Sequence, residues 1–366
     1  MNLLIIGNGF DLAHDLKTGY KDFLRYVIQR EESLYSNFTK NNTDADLEYY
    51  EEKEANLIKY VEKNVWFYYF TNLYKEHLIS GNNWIDFESE ISHIVEKFDR
   101  SMPDKYSYIP ALNQLNDDKK MVLFYNYYGN IYAEGVDDVP KHTYKKLIDH
   151  IYEDLERLIS AFEYYLKNEV ETVEIRKRSS DIEALKLDGI LSFNYTDTIK
   201  RIYQNVAKTA IHYIHGKVSD NDDNNMVLGI NEYWDAKEAG EHTAFNCMKK
   251  FTQRVINNTG VDYRKWIYDA TGTGMKYERK REQTSYKELG LSNVYVFGHS
   301  LDITDKDLLK EIFDNEHIIV NVFYRDKIHQ SELIAAIVRM ITEEEFIRQY
   351  NSYPQKIRFI QQQGLK

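Results

Sequence analysis

Four short polar clusters in this sequence carry side chains suited to chemistry, and each directly follows an apolar run. In the first, Gly7-Asn8-Gly9 ends an apolar stretch and Phe10-Asp11-Leu12-Ala13-His14 can open a helix. A glycine turn at a helix N-terminus offers unpaired N–H groups and a favourable dipole to an anion such as a pyrophosphate, and glycine lets the backbone approach it closely. The dinucleotide fingerprint is incomplete, because Leu12 stands where G-x-G-x-x-G has its third glycine, so a plain tight turn competes with this reading. Asp11 would repel a pyrophosphate; ribose hydroxyls suit it better, and an acid at a helix start needs no function at all.

The second cluster is Asn194-Tyr195-Thr196-Asp197. The Asn194 amide can hold a water or a ribose hydroxyl without adding charge, while Asn194, Thr196 or Asp197 can equally cap the next helix. The third is His215-Gly216, where an imidazole can move a proton near neutral pH or simply close a strand. A zinc pair with His212 is not expected, since three residues along a strand put two side chains on opposite faces, and no metal site is assigned. The fourth is Gly298-His299-Ser300-Leu301-Asp302. Gly298, Ser300 and Asp302 can hold a ribose; Asp302, Asp305 and Asp307 can chelate Mg²⁺, or Thr304 and Asp305 can open a helix, which is the default.

The elements that must position these clusters are short apolar strands alternating with helices. Strands are expected at residues 3–7, 189–193, 211–216, 226–230, 294–298 and 318–324, with a helix from Thr196 to about Ala207 and helices closing the chain. That pattern predicts an α/β fold with a mostly parallel sheet covered on both faces, all strand ends lying along one edge. From 26 to 180 the periodicity is helical: Leu57, Val61, Val65, Tyr69 and Leu73 share one face, as do Leu147, Ile151, Leu155, Leu158, Phe162 and Leu166. Residues 101–142 read as irregular. The expected division is a nucleotide-binding domain from 1–25 and 181–345, an inserted helical domain at 26–180 after the first βα unit, and a helical tail at 346–366.

Composition narrows the function classes. With 47 Lys+Arg against 59 Asp+Glu the net charge is −12, which argues against broad nucleic-acid or anionic-membrane binding. The single cysteine, Cys247, allows no intrachain disulfide and suits a reducing cytoplasm. The apolar start is five residues long with no basic stretch before it, so a secretory signal is not expected, and no run reaches the roughly 18 apolar residues of a membrane span.

Gly7-Asn8-Gly9-Phe10-Asp11-Leu12-Ala13-His14 with Thr18-Gly19-Tyr20-Lys21-Asp22-Phe23 resembles the opening of the AbiH family of bacteriophage abortive-infection proteins. Trp84-Ile85-Asp86-Phe87-Glu88, Phe193-Asn194-Tyr195-Thr196-Asp197, Ile214-His215-Gly216 and Gly298-His299-Ser300-Leu301-Asp302 continue the resemblance in order, from residue 2 to about 325. The family in turn resembles sirtuin-like domains, a Rossmann-type fold that binds NAD. That resemblance implies a glycine loop at Gly7 and Gly9, a water- or ribose-positioning Asn194, a catalytic His215, and an adenosine-side motif at Gly298 and Ser300. There are departures: Asp11 stands where sirtuins have Ser, and Thr196 where they have the aspartate that contacts the nicotinamide amide, with Asp197 one residue late. One cysteine cannot build the zinc module of deacetylating sirtuins.

The resulting expectation is a cytoplasmic antiphage effector that hydrolyses NAD⁺. Asn194 and His215 are the catalytic residues, and Gly7, Asn8, Gly9, Phe10, Asp11, Asp197, Gly216, Gly298, Ser300 and Asp302 contact the nucleotide. No cofactor is required beyond NAD⁺ as substrate or ligand. The helical insertion is the place for a phage-derived trigger or homo-oligomer contacts. The competing expectations are a non-catalytic sensor of NAD or ADP-ribose and a metal-dependent nuclease.

Overall fold

Leu3 and Ile5 enter one hydrophobic cluster and Leu4 and Ile6 another, which is the signature of a strand buried on both faces. The computed structural model describes residues 1–38, 56–80, 86–101, 118–132, 144–206, 208–219, 224–233, 240, 242–260, 262–271 and 291–365. The chain divides into two compact units: Met1–Lys17, Glu171–Asn225 and Asn257–Lys366 form the first, Thr18–Val170 and Met226–Ile256 the second.

The first unit is built on a six-stranded sheet: β1 (Asn2–Ile6), β2 (Gly189–Ser192), β3 (Ala210–Tyr213), β4 (Ser292–Phe297), β5 (Ile318–Tyr324) and β6 (Ile357–Gln361). Every pair is parallel and the order is β3-β2-β1-β4-β5-β6. This is the Rossmann strand order, whose reversal point lies between β1 and β4. Ile6 stands opposite Ser192 and Phe297, so Gly7, Phe193 and Gly298 leave the sheet at one level.

The second unit is helical, with Tyr20–Phe38, Val65–Ser80, Phe87–Ser101, Lys119–Tyr132, Tyr144–Tyr165 and Lys250–Ile256 as its helices, and Phe87 stacks on both Tyr20 and Phe70 at 4.3 and 3.9 Å. The face from Leu57 to Leu73 is buried, but it belongs to two helices. Asn64 breaks the run: its Oδ1 accepts from Phe67 N–H, and Asp154 Oδ2 accepts from Val65 N–H at 2.8 Å, so the second helix has its own capped start. The face from Leu147 to Leu166 is buried as expected.

The structure corrects several boundaries. The helix Tyr20–Phe38 runs unbroken through residue 25, so the first unit ends at Lys17. Residues 226–230 are buried but form only one isolated bridge, Ile230 with Lys249, and they lie in the helical unit. A buried ion pair between Lys250 and Glu88 at 2.7 Å holds that excursion there, with a Tyr233 hydroxyl donating to Asp99 at 2.6 Å, while Lys249 pairs with Glu232 inside it. The expected helix from Thr196 is shorter, Thr198–Ile202. The tail is not all helix: after Glu343–Tyr350 the chain adds β6, a half-buried edge strand with Ile357 as its buried anchor. Among the described residues no helix is long and apolar enough to cross a membrane.

Two loops meet where the strand order reverses. Gly9 N–H donates to Gly298 O at 2.7 Å. Gly298 has φ +67°, and a Cβ there would lie 2.1 Å from Phe10 N. Gly298→Ala is therefore expected to cost about 3 kcal/mol or more in chemical denaturation. Gly129→Ala, inside Lys119–Tyr132 with nothing within 4 Å, is expected to add roughly 0.5–1 kcal/mol. Equal effects from the two substitutions would refute the close-approach account of Gly298.

Candidate functional site

Asp11 lies in the short helix Asn8–Ala13, where a carboxylate would ordinarily face solvent, yet it is 1% exposed. The Thr196 hydroxyl donates to Asp11 Oδ2 at 2.6 Å, and Thr198 Oγ1 lies 2.9 Å from Thr196 Oγ1. Burial pushes the Asp11 carboxyl up to about 6, against the lowering effect of Thr196, Thr198, nearby Asn194 and the more distant Arg201.

Asn194 comes just after β2 and is held by a local turn in which Ser192 Oγ accepts its N–H at 3.2 Å. Its side chain is buried beside Asp11, whose carboxyl it helps to hold down, and among the described residues neither amide atom nor Asp11 Oδ1 reaches a partner at full hydrogen-bond geometry. Buried polar atoms left unmatched cost roughly 1–3 kcal/mol each. A carboxylate acceptor beside an amide that both donates and accepts is a set that a hydroxylic molecule satisfies.

Beyond β3, His215 Nε2 lies 3.2 Å from Asp305 Oδ1. On the other side His299 Nε2 lies 3.5 Å from Asp305 Oδ2, and His299 Nδ1 accepts the N–H of Leu301 at 2.9 Å. All three side chains are buried, and the ring of Phe193 meets both imidazoles edge-on, 4.2 Å from His299 and 5.3 Å from His215. The unit thus carries a carboxylate–amide pair after β1 and β2 and a carboxylate held between two imidazoles after β3 and β4.

The other expected site residues have varied fates. Gly7 and Gly9 are packed against the Gly298-His299 backbone, so a Cβ on either would approach it within 2.8 Å. The N–H groups of Gly9 and Phe10 are both used inside the protein, by Gly298 O and Gly7 O. This loop's glycines therefore serve a chain-to-chain contact, and of the loop only Asn8 is exposed. Phe10 is corrected from a ligand contact to a core residue: its ring is fully buried against His14, Tyr203 and Phe297. Asp197 is taken up by the Tyr213 hydroxyl and by Lys217 at 3.7 Å, so Asp11 rather than Asp197 is the carboxylate beside Asn194. Gly216 has φ +70° and sits under the Asn225 backbone, where no Cβ fits. Ser300 is exposed, and Asp302 caps the next turn by accepting Thr304 N–H at 2.9 Å, the helix-start role.

His14 is structural. Its Nδ1–H donates to Phe10 O, its Nε2 accepts from the Tyr203 hydroxyl at 2.8 Å, and Tyr203 accepts Ser179 N–H; burial lowers its pKa. His212 accepts Tyr263 N–H and packs near Tyr263 and Trp266, away from a pairing with His215. Trp84 and Ile85 of the expected helix start lie outside the described residues. Sequence reading missed the parts played by Thr198, His299 and Asp305. The available signals were the hydroxyls two apart in Thr196-Asp197-Thr198 and the histidine six residues before Asp305.

An all-parallel 3-2-1-4-5-6 sheet with polar residues gathered at its C-terminal edge defines a Rossmann-type α/β protein. The chain belongs to the bacteriophage abortive infection AbiH family, whose profile matches residues 3–324. Membership implies a role in bacteriophage abortive infection. No curated protein and no solved structure matches the chain.

The Asp11 shift makes a pH test. The folded carboxyl holds its proton to about pH 6 while the unfolded one loses it near 3.8. The folded state binds the extra proton, so stability falls as pH rises through that window and stays lower above it. Asp11→Asn removes this cost, so its thermal stability is expected to exceed that of the parent at pH 7.5 by up to about 3 kcal/mol. The gap closes towards pH 4. A variant less stable than the parent at pH 7.5 would contradict the burial argument.

Proposed function

We propose that this chain acts in the bacterial cytoplasm as an NAD⁺ glycohydrolase, releasing nicotinamide and ADP-ribose during abortive infection. The observation that carries the reading is the buried, unmatched set of Asp11 Oδ1 and the Asn194 amide at the carboxyl edge of a Rossmann-ordered sheet. That set accepts and donates as a ribose hydroxyl or a water requires.

In this reading the bond between the ribose anomeric carbon and the nicotinamide nitrogen breaks with both electrons going to nicotinamide. The leaving group departs neutral and needs no acid. The main tasks are stabilising the cationic ribose and placing water. Asp11 holds a ribose hydroxyl and lends negative charge to the developing cation. Asn194 orients the ribose or the water. His215 takes a proton as water adds to the anomeric carbon, or polarises a ribose hydroxyl. The pyrophosphate is assigned to the outer side of Gly7-Asn8-Gly9 and the adenosine ribose to the Gly298, Ser300 and Asp302 loop. A metal-dependent nuclease has less support, because Asp302 is a cap and Asp305 faces two histidines.

The test compares NAD⁺ in cells carrying the intact protein, Asn194→Ala or His215→Ala, before and after phage challenge, and then assays the purified proteins. Each variant is expected to lose more than about a hundred-fold in turnover while retaining a cooperative melt. Phage protection with unchanged NAD⁺, together with tight ADP-ribose binding, would replace the hydrolase reading with that of a sensor. Full turnover in either variant would remove that residue from the mechanism.

A further inference from the structure

We propose that Asp305 is a positioning residue that fixes the tautomer of His215, with His299 as the lock that holds Asp305 in place. The inference rests on the hydrolase reading for its role in turnover, but not for its geometry.

The chain of contacts begins at the backbone. Leu301 N–H is a donor with no alternative, so His299 Nδ1, which receives it at 2.9 Å, must be the unprotonated ring nitrogen. The proton of neutral His299 is then on Nε2, directed at Asp305 Oδ2 3.5 Å away. Leu301 is itself held in a left-handed conformation, φ +56°, with its side chain fully buried, so the donor cannot readily move. Asp305 presents its second oxygen, Oδ1, to His215 Nε2 at 3.2 Å. That distance puts the two groups in ion-pair range, and catalytic contacts commonly tighten only when substrate is bound. Phe193 edges against both rings and restricts their turning.

A carboxylate accepts and never donates when ionised. It therefore requires the Nε2–H form of His215, as it does of His299. It also offsets the positive charge when His215 gains a second proton. This is the logic of a base oriented by a third group. His299 has both nitrogens engaged inside this chain of contacts, so its part is to hold Asp305, not to touch substrate.

The measurement is long-range ¹H–¹⁵N NMR of histidine-labelled full-length protein at pH 7.5, with resonances assigned from His215→Gln and His299→Gln. The intact protein is expected to show His215 and His299 both as neutral Nε2–H tautomers, a result that needs no variant of Asp305 to fold. In Asp305→Asn the new amide accepts through one atom and donates through the other. Because Leu301 fixes His299, His215 is expected to switch to Nδ1–H. NAD⁺ turnover in this variant is expected to fall about a hundred-fold or more with KM changed less than about three-fold. His215 found as Nδ1–H in the intact protein, or unchanged in folded Asp305→Asn, would overturn the proposal. If the tautomers behave as stated but the intact protein cleaves no NAD⁺, the hydrolase reading fails and the Asp305 assignment stands.

Discussion

The backbone contact between Gly9 and Gly298 is the constraint on which the rest of the first unit depends. These loops leave neighbouring strands at the reversal of the sheet order, where Rossmann-type proteins open a crevice. Here main chain packs directly on main chain. Gly9 leads within two residues to Asp11, and Gly298 leads within one to His299. One contact thus sets the starting point of both polar clusters. A side chain at Gly7, Gly9 or Gly298 would push the loops apart and displace both together.

The polar site anchored in this way works against the stability of its own fold. Asp11 is a carboxylate forced into the interior with two threonine hydroxyls and the Asn194 amide against it, and burial still outweighs them. Neighbouring polar groups of similar burial are treated differently. His14 has both ring nitrogens engaged, and Asn64 has its amide oxygen accepting and its nitrogen donating. Asp11 and Asn194 are buried side by side at the sheet edge at a cost to the fold, as expected of a place where stability is exchanged for function.

Much of the sheet was legible in the sequence, because β1, β2, β4 and β5 are continuous apolar runs that only a two-sided burial explains. The edge strand β6 was not: Ile357-Arg358-Phe359-Ile360-Gln361 has one fully buried residue and reads as polar. Nor was the place of residues 226–256, which is tied to the helices by Lys250 finding Glu88 and Tyr233 finding Asp99. At the site, Asn194 and His215 stood out as polar residues ending strands. Asp11 was visible only as an acid at a helix start, since its burial depends on Thr196 arriving from 185 residues away. Asp305 read as a helix opener because its two histidine neighbours come from other loops.

The interleaving of the two units has a consequence for how the protein is made. β1 precedes the other strands of the sheet in the chain and lies mid-sheet, with its partners β2 and β4 starting at residues 189 and 292. At about 5–20 residues per second a ribosome needs tens of seconds to supply them. Until then β1 has no neighbour on either side, and Asp11 has neither threonine. The helical unit, by contrast, has most of its chain early and in one piece. The sheet unit therefore assembles late, around a strand made long before its partners. A truncated or stalled chain ending before residue 305 lacks the carboxylate between the histidines.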